Sequence, residues 1–465
     1  MAIAAEIIIE YSKIAPLFEA GVERAKKTGR ATLVSYSQLV PAADPLYFFA
    51  ERQQTGVNAF YWEHPADNFA IAGVGIARIF KGAGPNRFEA VQAEWGKITM
   101  EAVVGGAAGW GVGPLLMGGF SFDPARQGTA LWRGYGDGSL VLPRLLLTRK
   151  EGGTYLTVNA LVAENSDPDS LARQAAHLYR APAAPLSEMD SSNSLQLEDV
   201  MPAQDWQATV AEAVGQIRQG AFQKVVLARE VQVTAAKIFE VGTVLGRLRQ
   251  NFPDATIFAV AREGRVFVGA TPERLVQLQA GEVLTAALAG SIGRGATPSE
   301  DEKLGQELLQ SAKNQGEHAV VADIIHEALQ KVCVDVYKGE PPRLLKLRNV
   351  QHLYTPITGR LHCQGTILQL VEALHPTPAL GGFPRSETLA FIRQHEGLDR
   401  GWYGAPLGWL DCRGEGEFVV AIRSALLDSN KATLFAGCGI VADSEPASEY
   451  QESRLKLKAM LSALA

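Results

Sequence analysis

Cysteine is scarce in this chain: four residues among 465, Cys333, Cys363, Cys412 and Cys438, with no Cys-x-x-Cys pair. Thiols this few and scattered argue against a disulfide framework or a structural zinc site and suit a reducing, cytoplasmic compartment. A basic block is missing as well. The formal charge is −6, and without a cluster of Lys and Arg there is no electrostatic footprint for nucleic acid. Nor is there an apolar run fit to cross a membrane. The longest weakly polar stretch, 103–122, is glycine-rich and contains Pro114, which predicts buried strand and turn. The opening Met1-Ala2-Ile3-Ala4-Ala5-Glu6 lacks a basic segment followed by a long apolar core, so no secretory signal is expected. Internal repeats and Walker-type or dinucleotide glycine fingerprints are absent too.

What is present describes a globular protein, 47% hydrophobic and 20% charged, long enough for one large domain or two to three ordinary ones. The main shift in composition, 180–205, carries Pro182, Pro185 and the run Asp190-Ser191-Ser192-Asn193-Ser194 and reads as a connector. Before it, 31–36, 70–79, 140–147 and 154–162 are strand-like and few motifs carry chemistry. After it, Phe222-Gln223-Lys224-Val225-Val226-Leu227-Ala228-Arg229 predicts a strand buried on both faces. Strands at 265–269 and 275–278 flank the turn Gly269-Ala270-Thr271-Pro272-Glu273. Thr297-Pro298-Ser299-Glu300 has the order of a helix cap, and that helix is expected to run towards Gly316. A second should start there and pass through Val320, Val321, Ile324, Ile325 and Leu329. Late strands are expected at 418–427 and 433–436.

Charged residues inside apolar patterns are the candidates for chemistry. Lys224 lies between Phe222 and Val226 on its own strand face; it is either a base made available by desolvation or a lysine whose stem packs while its head reaches water. Glu317 precedes Val320, Val321 and Ile324 at helical spacing, which suits a metal ligand, a buried pair or a carboxylate favoured by a helix N-terminus. Arg423, within Val419-Val420-Ala421-Ile422-Arg423, could fork onto a carboxylate or sit in a structural ion pair. Glu273 follows a tight turn at a strand end, where catalytic and ordinary surface groups both occur. In the last helix Glu449, Glu452 and Lys456 rise from one face. They suit a divalent cation beside a substrate carboxylate, or simply a solvated face with a Glu–Lys pair. Gly437-Cys438-Gly439 could bring backbone N–H groups to an anion. His352 and His375 could bond a ligand or be satisfied structural residues.

Collected in order, these segments resemble the chorismate-utilising enzymes, over roughly residues 203–465. The motifs are Lys224-Val225-Val226-Leu227-Ala228-Arg229, Gly269-Ala270-Thr271-Pro272-Glu273, Leu288-Ala289-Gly290-Ser291, Glu317-His318 and His352-Leu353-Tyr354-Thr355. His375-Pro376-Thr377-Pro378-Ala379-Leu380-Gly381-Gly382, Gly401-Trp402-Tyr403-Gly404-Ala405-Pro406-Leu407-Gly408 and Ala436-Gly437-Cys438-Gly439-Ile440-Val441 follow, and the last is Glu449, Glu452 and Lys456. Within the family the chain is most similar to the isochorismate synthases. They carry a lysine at the Lys224 position, and Leu288-Ala289-Gly290-Ser291-Ile292 has their form. The Arg-Asn-Asp signature of anthranilate-type members is replaced by Asp323-Ile324-Ile325-His326-Glu327, and the first half has no Leu-Leu-Glu-Ser motif. Cys438 stands where the family usually has a small alanine.

The resemblance implies a mixed α/β (α+β) body of stacked, largely antiparallel sheets sandwiched by helices around a central cleft. Residues 1–202 would form the variable half of that fold and 203–465 the catalytic region. It implies conversion of chorismate to isochorismate with magnesium (Mg2+), Glu317 and Glu452 as ligands and Glu449 close by. Lys224 would be the base and Glu273 the acid. Gly290, His352, Thr355, Arg423, Gly437, Gly439 and Lys456 would contact substrate. Neither nucleic acid, membrane nor glutaminase is an implied partner, and the chain would be a monomer or weak homodimer. Salicylate synthase is the nearest rival, followed by an anthranilate or aminodeoxychorismate synthase component and a chorismate-binding regulator without turnover. Whether the product feeds a quinone, a siderophore or salicylate stays open.

Overall fold

The computed structural model describes residues 9–54, 56–177, 193–346, 350–362 and 365–465. Two antiparallel sheets share one long strand, Gly138–Lys150. From it the first sheet runs outward through Phe69–Gly82, Ala59–His64, Thr256–Arg262, Arg265–Thr271, Ser424–Asp428, Lys431–Ile440, Lys224–Ala235 and Leu195–Asp199. On its other side stand Gly153–Val162, Thr32–Val40 and Val103–Gly106, the last joined in parallel. The second sheet leaves the start of the shared strand through Leu115–Phe120, Pro406–Asp411, Gly416–Val420, Arg274–Gln279, Glu282–Gly293 and Val350–Leu361. Strands from either side of residue 202 pair directly, as Ala59–His64 does with Thr256–Arg262.

Strand alternation explains the layering, because successive side chains leave opposite faces of a sheet. Ile257 and Ala259 face one core with the helices Tyr11–Thr28, Val241–Asn251 and Pro446–Leu464, whereas Phe258 and Val260 face a second core. In the second sheet Val419 and Ala421 point into that same inner core, while Phe418 and Val420 face a third beneath the helices Arg87–Met100 and Ala312–Gln330. The order is therefore helices, sheet, sheet, helices, the architecture that the family resemblance implied. The inner layer is aromatic: Trp62, Trp402, Trp409, Tyr135, Phe258 and Phe267 are all fully buried there, each contributing roughly 2–3 kcal/mol by leaving water.

Several local expectations need correction. Thr297 does cap a helix, its hydroxyl accepting from Glu300 N at 3.2 Å, but the helix ends at Gln310. Ser311 then caps the next, Ala312–Gln330, by accepting from Asn314 N at 3.3 Å. Glu317 therefore lies in the second turn instead of opening the helix. The buried stripe is His318, Val321, Ala322, Ile325 and Leu329, and Val320 is exposed. The late strand expected at 418–427 is interrupted: Arg423 has φ +51° and separates Gly416–Val420 from Ser424–Asp428. The end of the expected connector forms the strand Leu195–Asp199 and the start of the helix Ala203–Arg218. Its earlier part, the opening segment and Cys363 lie outside the described residues. Among the described residues no helix is long and apolar enough to cross a membrane, and Cys333, Cys412 and Cys438 are free thiols.

Candidate active site

Lys224 is the first residue of the strand Lys224–Ala235, which pairs with Lys431–Ile440 so that Gly439 lies opposite Val226 and Gly437 opposite Ala228. Glycine at 439 is a spatial requirement. A Cβ there would stand 2.8 Å from Lys224 Cε and 3.3 Å from its Nζ. The lysine side chain is 14% exposed, and its Nζ donates to Glu317 Oε1 at 2.5 Å. These two residues, 93 apart in sequence, are thus joined as an ion pair within the protein wall.

Glu273 is held by its backbone. Its N–H donates to Thr271 Oγ1 at 3.2 Å, its carbonyl accepts from Val420 N at 3.0 Å, and Thr271 Oγ1 donates to Val420 O at 2.7 Å. Burial pushes the carboxyl up to about 7, against the opposing pull of Lys224, Arg423 and Lys456. Three nearby cations do not offset the loss of hydration, which makes Glu273 a carboxylic acid that can give up a proton near neutral pH.

Arg423 owes its direction to the left-handed backbone that breaks the strand. Non-glycine residues adopt that region at a cost, and they concentrate where function requires it. Among the described residues its guanidinium makes no hydrogen bond or ion pair. Burial lowers its pKa, while Tyr403, Glu452, Cys438 and Glu273 act in the other direction. A half-buried fork of donors without a carboxylate is suited to an anion.

His352 stands at the end of the same cleft, bonded through Nδ1 to Ser291 Oγ at 2.6 Å. Burial, then Arg423 and Lys456, push it down to about 4, so the ring is neutral at physiological pH. Ser291 reaches it because Gly290, with φ +74°, forms a bulge between the Ala289–Leu353 and Ser291–His352 pairs. Thr355 turns away from this wall. It is 3% exposed, and its hydroxyl is bonded to His318 Nε2 at 2.7 Å, while His318 Nδ1 is bonded to Ala289 O at 3.1 Å.

The final helix, Pro446–Leu464, brings Glu449, Glu452 and Lys456 to the cleft on one face. Lys456 Nζ donates to Glu452 Oε1 at 2.7 Å and to Gly437 O at 2.9 Å. Ser444 Oγ donates to Glu449 Oε1 at 2.7 Å. Ligand atoms of Cys438, Glu449 and Glu452 all lie within 4.8 Å of one another. Burial raises the pKa of Glu449, and so does the neighbouring charge of Glu452; a cation between them would relieve that repulsion. The Cys438 thiol is pushed up by burial to about 12, so it stays neutral and adds little for a hard cation, which prefers oxygen. Glu317, the expected third carboxylate, is not part of this trio; its Oε1 accepts from the Lys224 ammonium instead.

Sequence reasoning passed over Tyr403. It is 6% exposed, yet among the described residues its hydroxyl has no hydrogen-bond partner, and it comes within 3.3 Å of where a Gly437 Cβ would be. The signal was available as a polar aromatic between Trp402 and Gly404, but buried tyrosines are common in aromatic cores and the pattern alone did not single it out. His375 lies away from the cleft groups, buried, with Nε2 bonded to Phe122 O at 3.0 Å.

The model of the chorismate binding enzymes matches residues 20–465. Isochorismate synthase MenF of Bacillus subtilis is 39% identical over 454 residues, covering 95% of this chain and 96% of that protein. The salicylate biosynthesis isochorismate synthase of Pseudomonas aeruginosa is 42% identical over 473 residues, covering 97% and 96%. Among solved structures, MenF, the menaquinone-specific isochorismate synthase of Escherichia coli, superposes with a TM-score of 0.78 at 25% identity, over 96% of this chain and 99% of that one. With the cleft carboxylates, its cations and the sheet sandwich that unites them, the chain belongs to the chorismate-binding enzyme family.

Proposed function

We infer that this chain is an isochorismate synthase, converting chorismate to isochorismate by adding water at C2 and expelling the C4 hydroxyl. The observation that carries the reading is a lysine amine, Lys224, sharing one cleft with a carboxylic acid, Glu273, whose proton is available near pH 7. In this reading Lys224 takes a proton from the attacking water, and Glu273 gives one to the departing hydroxyl from the other side of the ring. The ring double bonds shift between the two carbons, and no redox change occurs. The net proton count is zero, so after each turnover Lys224 sheds the proton it took and Glu273 regains the one it gave, with solvent as the go-between.

Arg423, Lys456 and backbone N–H groups near Gly437 and Gly439 hold the two carboxylates of the substrate. His352, neutral and anchored by Ser291, and the bulge at Gly290 shape the opposite wall, and Thr355 supports it from behind through His318. Glu449 and Glu452, joined by Glu317, would hold a magnesium ion. Such an ion supplies positive charge against the ring carboxylate, a task for which a hard cation with oxygen ligands is suited. An ammonium clasped by a carboxylate cannot accept a proton, so Lys224 serves as base only when Glu317 is engaged elsewhere. A lysine in this position activates water directly, and no glutaminase is needed to deliver ammonia. Residues 1–202 complete the sheets around the 203–465 catalytic region, and the free thiols suit the cytoplasm.

The test is to incubate the protein with chorismate and magnesium and separate the products by chromatography. Isochorismate should form, EDTA should abolish it, and added magnesium should restore it. Accumulation of salicylate with pyruvate would instead identify a salicylate synthase, and an aromatic amine formed only with ammonia would identify an anthranilate-type enzyme.

A further inference from the structure

The motif that begins with Lys224 ends with Arg229, which no step above uses. They stand five positions apart on one strand, an odd number, so their side chains leave opposite faces: the lysine enters the cleft and the arginine meets the final helix. Arg229 is 4% exposed. Its Nε donates to Ser453 Oγ at 2.6 Å, its Nη1 donates to Asp199 Oδ1 at 2.5 Å, and its guanidinium carbon lies 4.5 Å from the Tyr450 ring centre. The Tyr450 hydroxyl donates to the other oxygen of Asp199. Ser453 Oγ in turn donates to Tyr450 O at 2.7 Å. Asp199 ends the strand Leu195–Asp199, in register with Val231.

One buried cation therefore ties together two strands and the helix. Its helix partners, Tyr450 and Ser453, each follow by one position a residue of the cleft face, Glu449 and Glu452. Each step along a helix turns it by about 100°, so fixing Tyr450 and Ser453 fixes where Glu449, Glu452 and Lys456 point. We propose that Arg229, braced by Asp199, is a positioning residue that sets the register of the final helix against the strand carrying Lys224. This rests on the isochorismate synthase reading and deepens it. This ion pair holds the two halves of the catalytic set at a fixed spacing. A misplacement of about 1 Å in such a set costs on the order of a hundredfold in rate.

Arg229→Lys keeps the charge and loses the planar fork, and Tyr450→Phe keeps the ring and loses the bond to Asp199. Each is compared with wild type for Mn2+ binding, followed by electron paramagnetic resonance without substrate, for kcat and KM, and for melting temperature. In Arg229→Lys the Mn2+ dissociation constant should rise about tenfold and kcat should fall about a hundredfold, with KM for chorismate changing less. Tyr450→Phe should shift both in the same direction by about threefold. If Arg229→Lys does not fold, Tyr450→Phe decides alone. A variant that melts earlier but binds Mn2+ and turns over as wild type does overturns the proposal, because stability alone would then explain the cluster. If wild type itself neither binds Mn2+ nor converts chorismate, the functional reading fails instead, and the two failures are told apart.

Discussion

The sharpest test of the cleft is Glu273→Gln, because it separates the acid's chemistry from its electrostatic cost. A glutamate carboxyl ordinarily titrates at 4.5, and burial holds this one at about 7. At about 1.36 kcal/mol per tenfold change in proton affinity, the difference is worth roughly 3 kcal/mol. That is a ceiling, since Glu273 is only part-buried. The sign follows from which state keeps its proton. Below pH 4.5 folded and unfolded chains are both protonated; as pH rises towards about 7 only the folded chain retains the proton, so wild-type stability declines through that window. Glutamine cannot ionise. The stability difference between the two proteins should therefore move in the variant's favour by up to about 3 kcal/mol between acid and mildly alkaline pH. Urea midpoints across that range measure it. In the same variant kcat should fall by roughly a hundred- to ten-thousandfold while chorismate still binds, because the departing hydroxyl loses its proton donor. Parallel stability curves for the two proteins would refute the desolvated state of Glu273, and an unchanged kcat would refute its role as acid.

Lys224→Ala should bind chorismate in calorimetry yet lose roughly a hundred- to ten-thousandfold in kcat; wild-type turnover would remove the base assignment. Gly439→Ala puts a methyl 2.8 Å from Lys224 Cε. It should lower kcat with little change in melting temperature, and equal rates would show that the lysine can move aside without consequence. Glu63 is 1% exposed and accepts from Arg249 Nε at 2.7 Å and Arg149 Nη2 at 2.6 Å. Glu63→Ala strips both guanidiniums of a buried partner and should destabilise the fold by about 3–5 kcal/mol in chemical denaturation. Asp44, which also bonds Arg249, should rescue only a fraction of that, and a loss below about 1 kcal/mol would show that it rescues most of it.

Local order carried part of this protein in its sequence. The spacing of Glu449, Glu452 and Lys456 on one helix face needs only the 3.6-residue period, and the Thr297 cap needs only its hydroxyl and the proline after it. Individual strands were legible in the apolar runs as well, whereas the stacking of sheets was implied by the family resemblance. Other features had no local signature. Arg423 continues an apolar alternation, and nothing nearby marks its left-handed backbone. Ser311 divides two helices whose boundary the sequence placed at Gly316, because its cap is a single side-chain bond inside a polar run.

What tertiary structure decided is which distant charges meet. Lys224 and Glu317, 93 residues apart, form an ion pair that no spacing rule encodes, and Glu317 is not in the Cys438, Glu449 and Glu452 group although the family resemblance implied it beside Glu452. The proton affinity of Glu273 depends on how completely the two sheets exclude water around it, and Arg229 finds its role only when the final helix packs against its strand. The chain's own pattern determines which groups exist and which face each leaves by; the folded body alone determines their hydration and their partners, because both arise from atoms that the sequence places far apart.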